Sequence, residues 1–182
     1  RHALDVMHAV ALEILLAVPI RSANLAALDV EKHLTWIGQG NAQTLSLAIP
    51  GSTVKNGQPV TADVSRDAAR LLRTYLKRWR PMLMGTLNDA VFPMRSGGPR
   101  RPGHLSQSLS DVIYRETGLE MNAHLFRHFA GLIFLRRNPG DFETVRRMLG
   151  HKKLETTTSF YAELETREAL KRWDDVLRGA GR

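Results

Sequence analysis

The chain has 182 residues, enough for one domain with a proper core and too few for two comfortable ones. A hydrophobic fraction of 43% and a charged fraction of 24% are ordinary for a soluble globular protein, and the lack of cysteine excludes disulfides, iron–sulfur clusters and thiolate zinc sites. Lysine and arginine number 26 against 18 acidic residues, a net charge of +8 that suits a polyanionic partner. Twenty of the 26 are arginine, which stays charged and forks onto phosphate. The same balance also fits solubility alone or an arginine-favouring genome, so particular residues must decide. The most apolar run, "AVALEILLAVPI", is broken by Glu13 and Pro19, short of the roughly 18 residues a membrane span needs, and it lacks the layout of a cleaved signal. The expectation is a reducing, cytoplasmic home, no membrane, and no cofactor.

Ala3 to Val18 carries Leu4, Met7, Leu12, Leu15 and Leu16 at roughly helical spacing, and Pro19 closes the helix they predict. A short helix from Ser22 to Leu28 follows, with Ser22 as its N-cap. The period then changes. "HLTWIG", "TLSLAIP" and "QPVTADV" are short, β-rich and separated by Gly, Pro and Asn, which predicts a three-stranded antiparallel sheet with Asn56-Gly57 turning between the last two strands. Ser65 caps a helix running to about Arg80, with Ala69, Leu72, Leu76 and Trp79 as its apolar stripe. Residues 81–104 hold most of the prolines and glycines, and "PMRSGGPRRPGH" reads as a basic, mobile loop. Further helices are expected at about 105–117, 122–137, 141–149, 153–161 and 166–178, punctuated by Gly118, Pro139-Gly140 and Gly150. The fold class is therefore mainly α with one small antiparallel sheet, an α+β arrangement.

"NAHLFRHFAG" poses the chemical question. At 100° per residue His124, Arg127 and His128 share a helix face, with Leu125, Phe126 and Phe129 turned elsewhere. A zinc reading would want H-E-x-x-H, but Leu125 stands where the glutamate belongs and Arg127 would face the cation. No metal site is expected. An H-x-x-R pair arises about once by chance in a chain with 7 histidines and 20 arginines, so it needs company.

The company is ordered. Arg21 lies in "VPIRSANLAAL", Lys55 precedes the Asn-Gly turn, His124 and Arg127 form "HLFRH", His151 ends "MLGH" and Tyr161 closes "TTTSFYA". In this order the residues resemble the tyrosine recombinase (phage integrase) family, over Arg21 to Tyr161, the family's catalytic domain. The resemblance implies one catalytic domain over residues 1–182, with the family's separate N-terminal core-binding domain outside this chain. It implies metal-independent cleavage and rejoining of double-stranded DNA through a 3′-phosphotyrosyl intermediate, by the integrase of a mobile element. Tyr161 would be nucleophile and His124 its proton acceptor; Arg21 and Arg127 would fork onto the non-bridging oxygens. Lys55 would protonate the leaving 5′-oxygen, and His151 would hydrogen-bond the phosphate. The chemistry agrees: a phenol with a pKa of about 10 is only about 0.1% ionised at neutral pH and needs a base and cations. Two alternatives stay open. One is a type IB topoisomerase-like enzyme that reseals the same strand; the other is a catalytically silent DNA-binding accessory protein.

The sequence departs from the family in two places. Asn24 stands where the family usually carries Glu, three residues after the first arginine, and His151 to Tyr161 is one residue longer than the commonest interval. Tyr75 and Tyr114 read as core or rim aromatics, and His128 as a structural or supporting side chain. His2, His8, His33 and His104 lack partners in the pattern. Lys77, Arg78, Arg95, Arg100, Arg101, Lys152 and Lys153 are the candidate phosphate contacts outside the site. In "ETREALKRWDDVLRGAGR" an apolar stripe of Leu170, Trp173, Val176 and Leu177 either folds back on its own domain or docks on a neighbouring protomer. The family implies a homotetramer on DNA, from a chain expected to be monomeric when free.

Overall fold

The computed structural model describes residues 2–39 and 43–159, with Tyr161 and Arg178 beyond them. The chain divides into two units, residues 1–127 and 128–182. In the first, α1 (His2–Ala17) buries Met7, Val10, Ala11, Ile14 and Leu15 along one stripe; of the stripe read from the sequence Met7 and Leu15 are buried, Leu12 is partly covered, and Leu4 and Leu16 are exposed. The short α2 (Ser22–Ala26) differs at its start: Arg21, extended at φ −68° and ψ 149°, holds the N-cap position and Ser22 is the first helical residue. One element escapes the pattern altogether. Asp29 accepts hydrogen bonds from the backbone N–H of Glu31 and of Lys32, both at 3.0 Å, and starts the single turn α3 (Val30–His33). His33 has a partner after all, its Nδ1 accepting from the Asp29 N–H at 2.9 Å.

The three strands form as read: β1 (Leu34–Ile37), β2 (Thr44–Ile49) and β3 (Val60–Val64), antiparallel in the order β1-β2-β3. Leu34 pairs with Leu47, and Leu45 with Val64, so the buried residues of all three strands line one face. Ser65 caps α4 (Arg66–Thr74), its hydroxyl accepting from Ala68 N at 3.3 Å. At Tyr75–Trp79 the helix widens into a π turn, then tightens to a 3₁₀ turn at Arg80–Leu83. That widening shifts the stripe. Tyr75 is fully buried, donating its hydroxyl to Val91 O at 2.8 Å, while Leu76 and Trp79 are only partly covered. Burial pushes the Tyr75 phenol above its ordinary range.

The loop before the next helix is anchored rather than loose. Val91 and Phe92 are buried, Arg100 N donates to Phe92 O at 2.8 Å, and Met94 N donates to Gly98 O at 2.9 Å. Helix α5 (Pro102–Thr117) begins three residues earlier than read, with Pro102 in its first turn, and ends at Gly118. It packs on α1 and α2, and α4 packs on α1 and β2, enclosing one core.

Helix α6 (Ala123–Arg137) runs through the division between the units. In the second unit its later turns and α7 (Phe142–Leu149) bury Leu135, Val145 and Leu149 together with Tyr161. Asp141 caps α7 by accepting from Thr144 N at 3.1 Å, and Gly150 ends it. Residues 154–159 are helical, as is Tyr161. The apolar stripe read at Leu170 to Leu177 lies outside the described residues. No helix among the described residues is long and apolar enough to cross a membrane.

Candidate active site

In the first unit each candidate cation is set beside a residue of the same core. Ile20 and Leu25 flank Arg21, Val54 precedes Lys55, and Ala123 and Phe126 flank His124 and Arg127. Burial of these neighbours fixes the backbone; three of the four polar side chains stand at the margin and one is buried. Arg21 is half-buried, Lys55 and His124 are exposed, and Arg127 is only 5% exposed. The Lys55 turn closes through Gly57 N donating to Val54 O at 2.8 Å, with Gly57 at φ +74°. That conformation suits glycine and makes Asn-Gly the turn signal it is. Burial on α6 does not follow polarity. Phe126 turns inward with Arg127 and His128, whereas Leu125 and Phe129 are exposed.

In the second unit Tyr161 is 3% exposed, and its hydroxyl donates to His128 O at 3.0 Å with His128 Nδ1 at 3.4 Å. The His128 ring centroid is 6.0 Å from that of His151 and 6.3 Å from that of Tyr161. His151 Nδ1 is 2.9 Å from the hydroxyl of the buried Thr157. When Thr157 donates that bond, the ring proton sits on Nε2, the tautomer that can donate to a phosphate oxygen. Arg146 Nη1 donates to His151 O at 2.9 Å, fixing the backbone of "LGH" from α7. Three short hydrogen bonds, two from Arg146 and one from Arg147, hold the Glu143 carboxyl down at about 2, and Glu143 in turn pins Arg146. Among the described residues no cluster of three His, Asp or Glu side chains is placed to hold a metal ion.

A sequence model described as the phage integrase family matches residues 1–168. The chain belongs to that family. It is 30% identical over 167 residues to tyrosine recombinase XerC of Bifidobacterium longum strain DJO10A, covering 84% of this chain and 42% of that protein. Transposase A from transposon Tn554 of Staphylococcus aureus is 24% identical over 162 residues, covering 87% of this chain and 44% of that protein. Among solved structures, XerH site-specific recombinase bound to its difH substrate superposes with a TM-score of 0.69 at 19% identity, over 95% of this chain and 47% of that one. The Tn1549 transposon integrase in complex with transposon right end DNA gives 0.57 at 15% identity, over 91% and 58%. At these identities the structures establish a shared fold, mostly helical around one small sheet. The chain spans less than half the length of the curated relatives it matches.

Within this phage integrase chain one residue near the tyrosine went unread. A Cβ at Gly131 would overlap the Tyr161 hydroxyl and approach Tyr161 Cζ at 3.0 Å and Val145 Cγ1 at 3.1 Å. Only the missing side chain lets the tyrosine lie against α6. The sequence signal was a glycine inside an apolar helix, which marks close packing. Of the candidate phosphate contacts, Lys77, Arg78, Arg95, Arg101, Lys152 and Lys153 are exposed and Arg100 is half-buried. The arginines of α4 were passed over.

Proposed function

We propose that this chain is the catalytic domain of a site-specific DNA recombinase, the integrase of a mobile element, which cuts and rejoins DNA through Tyr161. The observation that carries the reading is the Tyr161 hydroxyl, held against α6 at His128 in the company of His151. On α6 Arg127 immediately precedes His128, and His124 lies one turn earlier. Relatives named as a tyrosine recombinase and a transposase support exchange between duplexes over simple resealing of one strand.

The Tyr161 oxygen leaves the His128 carbonyl and attacks the scissile phosphorus. Its proton passes to His124, the P–O5′ bond breaks, and the 5′-oxygen takes a proton from Lys55. Arg21 and Arg127 stabilise the charge on the non-bridging oxygens, each worth roughly 10²–10³ in rate, and Lys55 contributes about 10²–10⁴ as general acid. The products are a 3′-phosphotyrosyl link and a 5′-hydroxyl. A partner strand's hydroxyl reverses the step, so the bond energy is conserved. The DNA-bound species is a homotetramer, assembled from a chain that is monomeric in solution.

The test uses nicked suicide duplexes from the ends of the element, incubated with the chain in excess EDTA. A covalent protein–DNA adduct is expected. Strict dependence of cleavage on Mg²⁺ would count against the mechanism, and relaxation of supercoils without exchange between two duplexes would favour the topoisomerase-like alternative.

A further inference from the structure

A second cationic feature lies on α4, at the end of the β2–β3 hairpin opposite Lys55. A cavity of about 310 Å³ is lined by Gln43, Arg66, Asp67, Arg70 and Arg73. On an ideal helix Arg66, Arg70 and Arg73 fall within about 60° of one another, a single stripe on α4 rising about 10 Å. That length matches about three phosphates along one DNA strand, at 3.4 Å of axis each. The stripe is partly built in advance. The Arg73 guanidinium lies over the Trp36 ring at 5.0 Å, which fixes its plane. Arg70 is paired with Asp67 at 3.2 Å, but both side chains are more than four-fifths exposed, and so solvated a pair exchanges readily for another anion.

The sheet register fixes where the stripe sits. Lys55 lies beyond the Ile49–Val60 pair at one end of the β2–β3 hairpin. Gln43 and Arg66 lie beyond the Leu45–Val64 pair at the other. Four residue steps separate those pairs, about 14 Å along the strands. One phosphate cannot meet both ends. Among the described residues no aliphatic or aromatic side chain lines the cavity, so a protein partner would lack there the apolar anchor that interfaces are built on. Guanidinium forks in a row suit a run of phosphates.

We infer that Arg66, Arg70 and Arg73 form a second phosphate-binding stripe, which holds duplex DNA outside the cleavage site. This rests on the function proposed above. The stripe takes either the flank of the duplex being cut or a second duplex brought to it; the chemistry is the same.

The full chain is compared with Arg66→Gln/Arg70→Gln and with Arg66→Lys/Arg70→Lys, leaving Arg73 and its Trp36 packing intact. Both residues are exposed, so the thermal midpoint should not move. Three measurements are made: binding against salt on a duplex just covering the cleavage site, the same on an extended duplex, and capture of a second labelled duplex. The Gln variant should keep wild-type binding and adduct formation on the short duplex. On the extended one its log K against log salt should be shallower by about 1.8, two phosphates at 0.9 each, and the Lys variant should keep the wild-type slope. Loss of second-duplex capture instead would also support the stripe and identify the other duplex as its ligand. Wild-type slope and capture in the Gln variant on every DNA would overturn the inference while leaving the proposed function standing. Absence of salt-dependent DNA binding by the wild-type chain would overturn that function, and the stripe with it.

Discussion

The two units use their cores differently. In residues 1–127 a large core of aliphatic side chains, Phe92 and Tyr75 sets the backbone, and Arg21, Lys55 and His124 stand at its margin, adding little to it. In the second unit, among the described residues, Tyr161 is itself a core side chain beside Leu135, Val145 and Leu149. Chemistry and stability are therefore separable at Arg21, Lys55 and His124, and entangled at the buried Arg127 and Tyr161. A nucleophile that also packs must be tested by removing its oxygen, not its ring.

The largest effect should come from the tyrosine. Tyr161→Phe and Tyr161→Ala should both abolish the covalent adduct, but the first loses only a hydrogen bond, about 1 kcal/mol, whereas the second should cost about 3–5 kcal/mol. Denaturant midpoints of the two variants measure that split. Equal stability losses would mean the ring does not pack as described. In the first unit, Arg21→Gln should lower cleavage by roughly 10²–10³ with DNA binding largely kept and the thermal midpoint nearly unchanged. Single-turnover adduct formation beside a melting curve checks both halves; a large melting shift would erase the contrast between the units. Smaller still is Gly131→Ala, which should destabilise by about 1–3 kcal/mol because the tyrosine ring or α6 must give way. Tyrosine fluorescence quenching by iodide should rise in this variant if the ring is what moves.

The smallest effect is a pH dependence confined to α7. Glu143 titrates at about 2, below the ordinary 4.5, because Arg146 and Arg147 hydrogen-bond its carboxylate. A lowered folded-state pKa contributes stability above the unfolded value, which is lost as pH falls from about 4.5 to about 2. Glu143→Gln should flatten that part of the stability profile. An unchanged acid limb would place the carboxylate outside any stabilising pair.

Much of this was legible because it is local. Ser65 marks a helix start through its hydroxyl, Gly118 and Gly150 mark helix ends through their left-handed backbone, and β-rich runs between Gly, Pro and Asn marked all three strands. The single turn α3 was hidden because four residues carry no periodicity and its neighbours are β-rich; Asp29 alone announces it. The π turn at Tyr75–Trp79 was illegible because a 3.6-residue wheel assumes a constant pitch, which is why Leu76 and Trp79, only partly covered, were read into the apolar stripe. The buried "AVFP" was masked by the glycines and prolines around it. Gly131 and His128 acquire their meaning from Tyr161, about thirty residues on, and no local rule joins them. The ordered set Arg21, Lys55, His124, Arg127, His151 and Tyr161 was read as a pattern.

The most direct measurement is the identity of the residue that carries the DNA. The chain is trapped on a nicked suicide duplex in excess EDTA, the adduct is digested, and the DNA-linked peptide is sequenced. The expected result is a single peptide bearing a 3′-phosphate on Tyr161, with a 5′-hydroxyl on the released strand. Linkage through Tyr75 or Tyr114, or no linkage until Mg²⁺ is added, would contradict it.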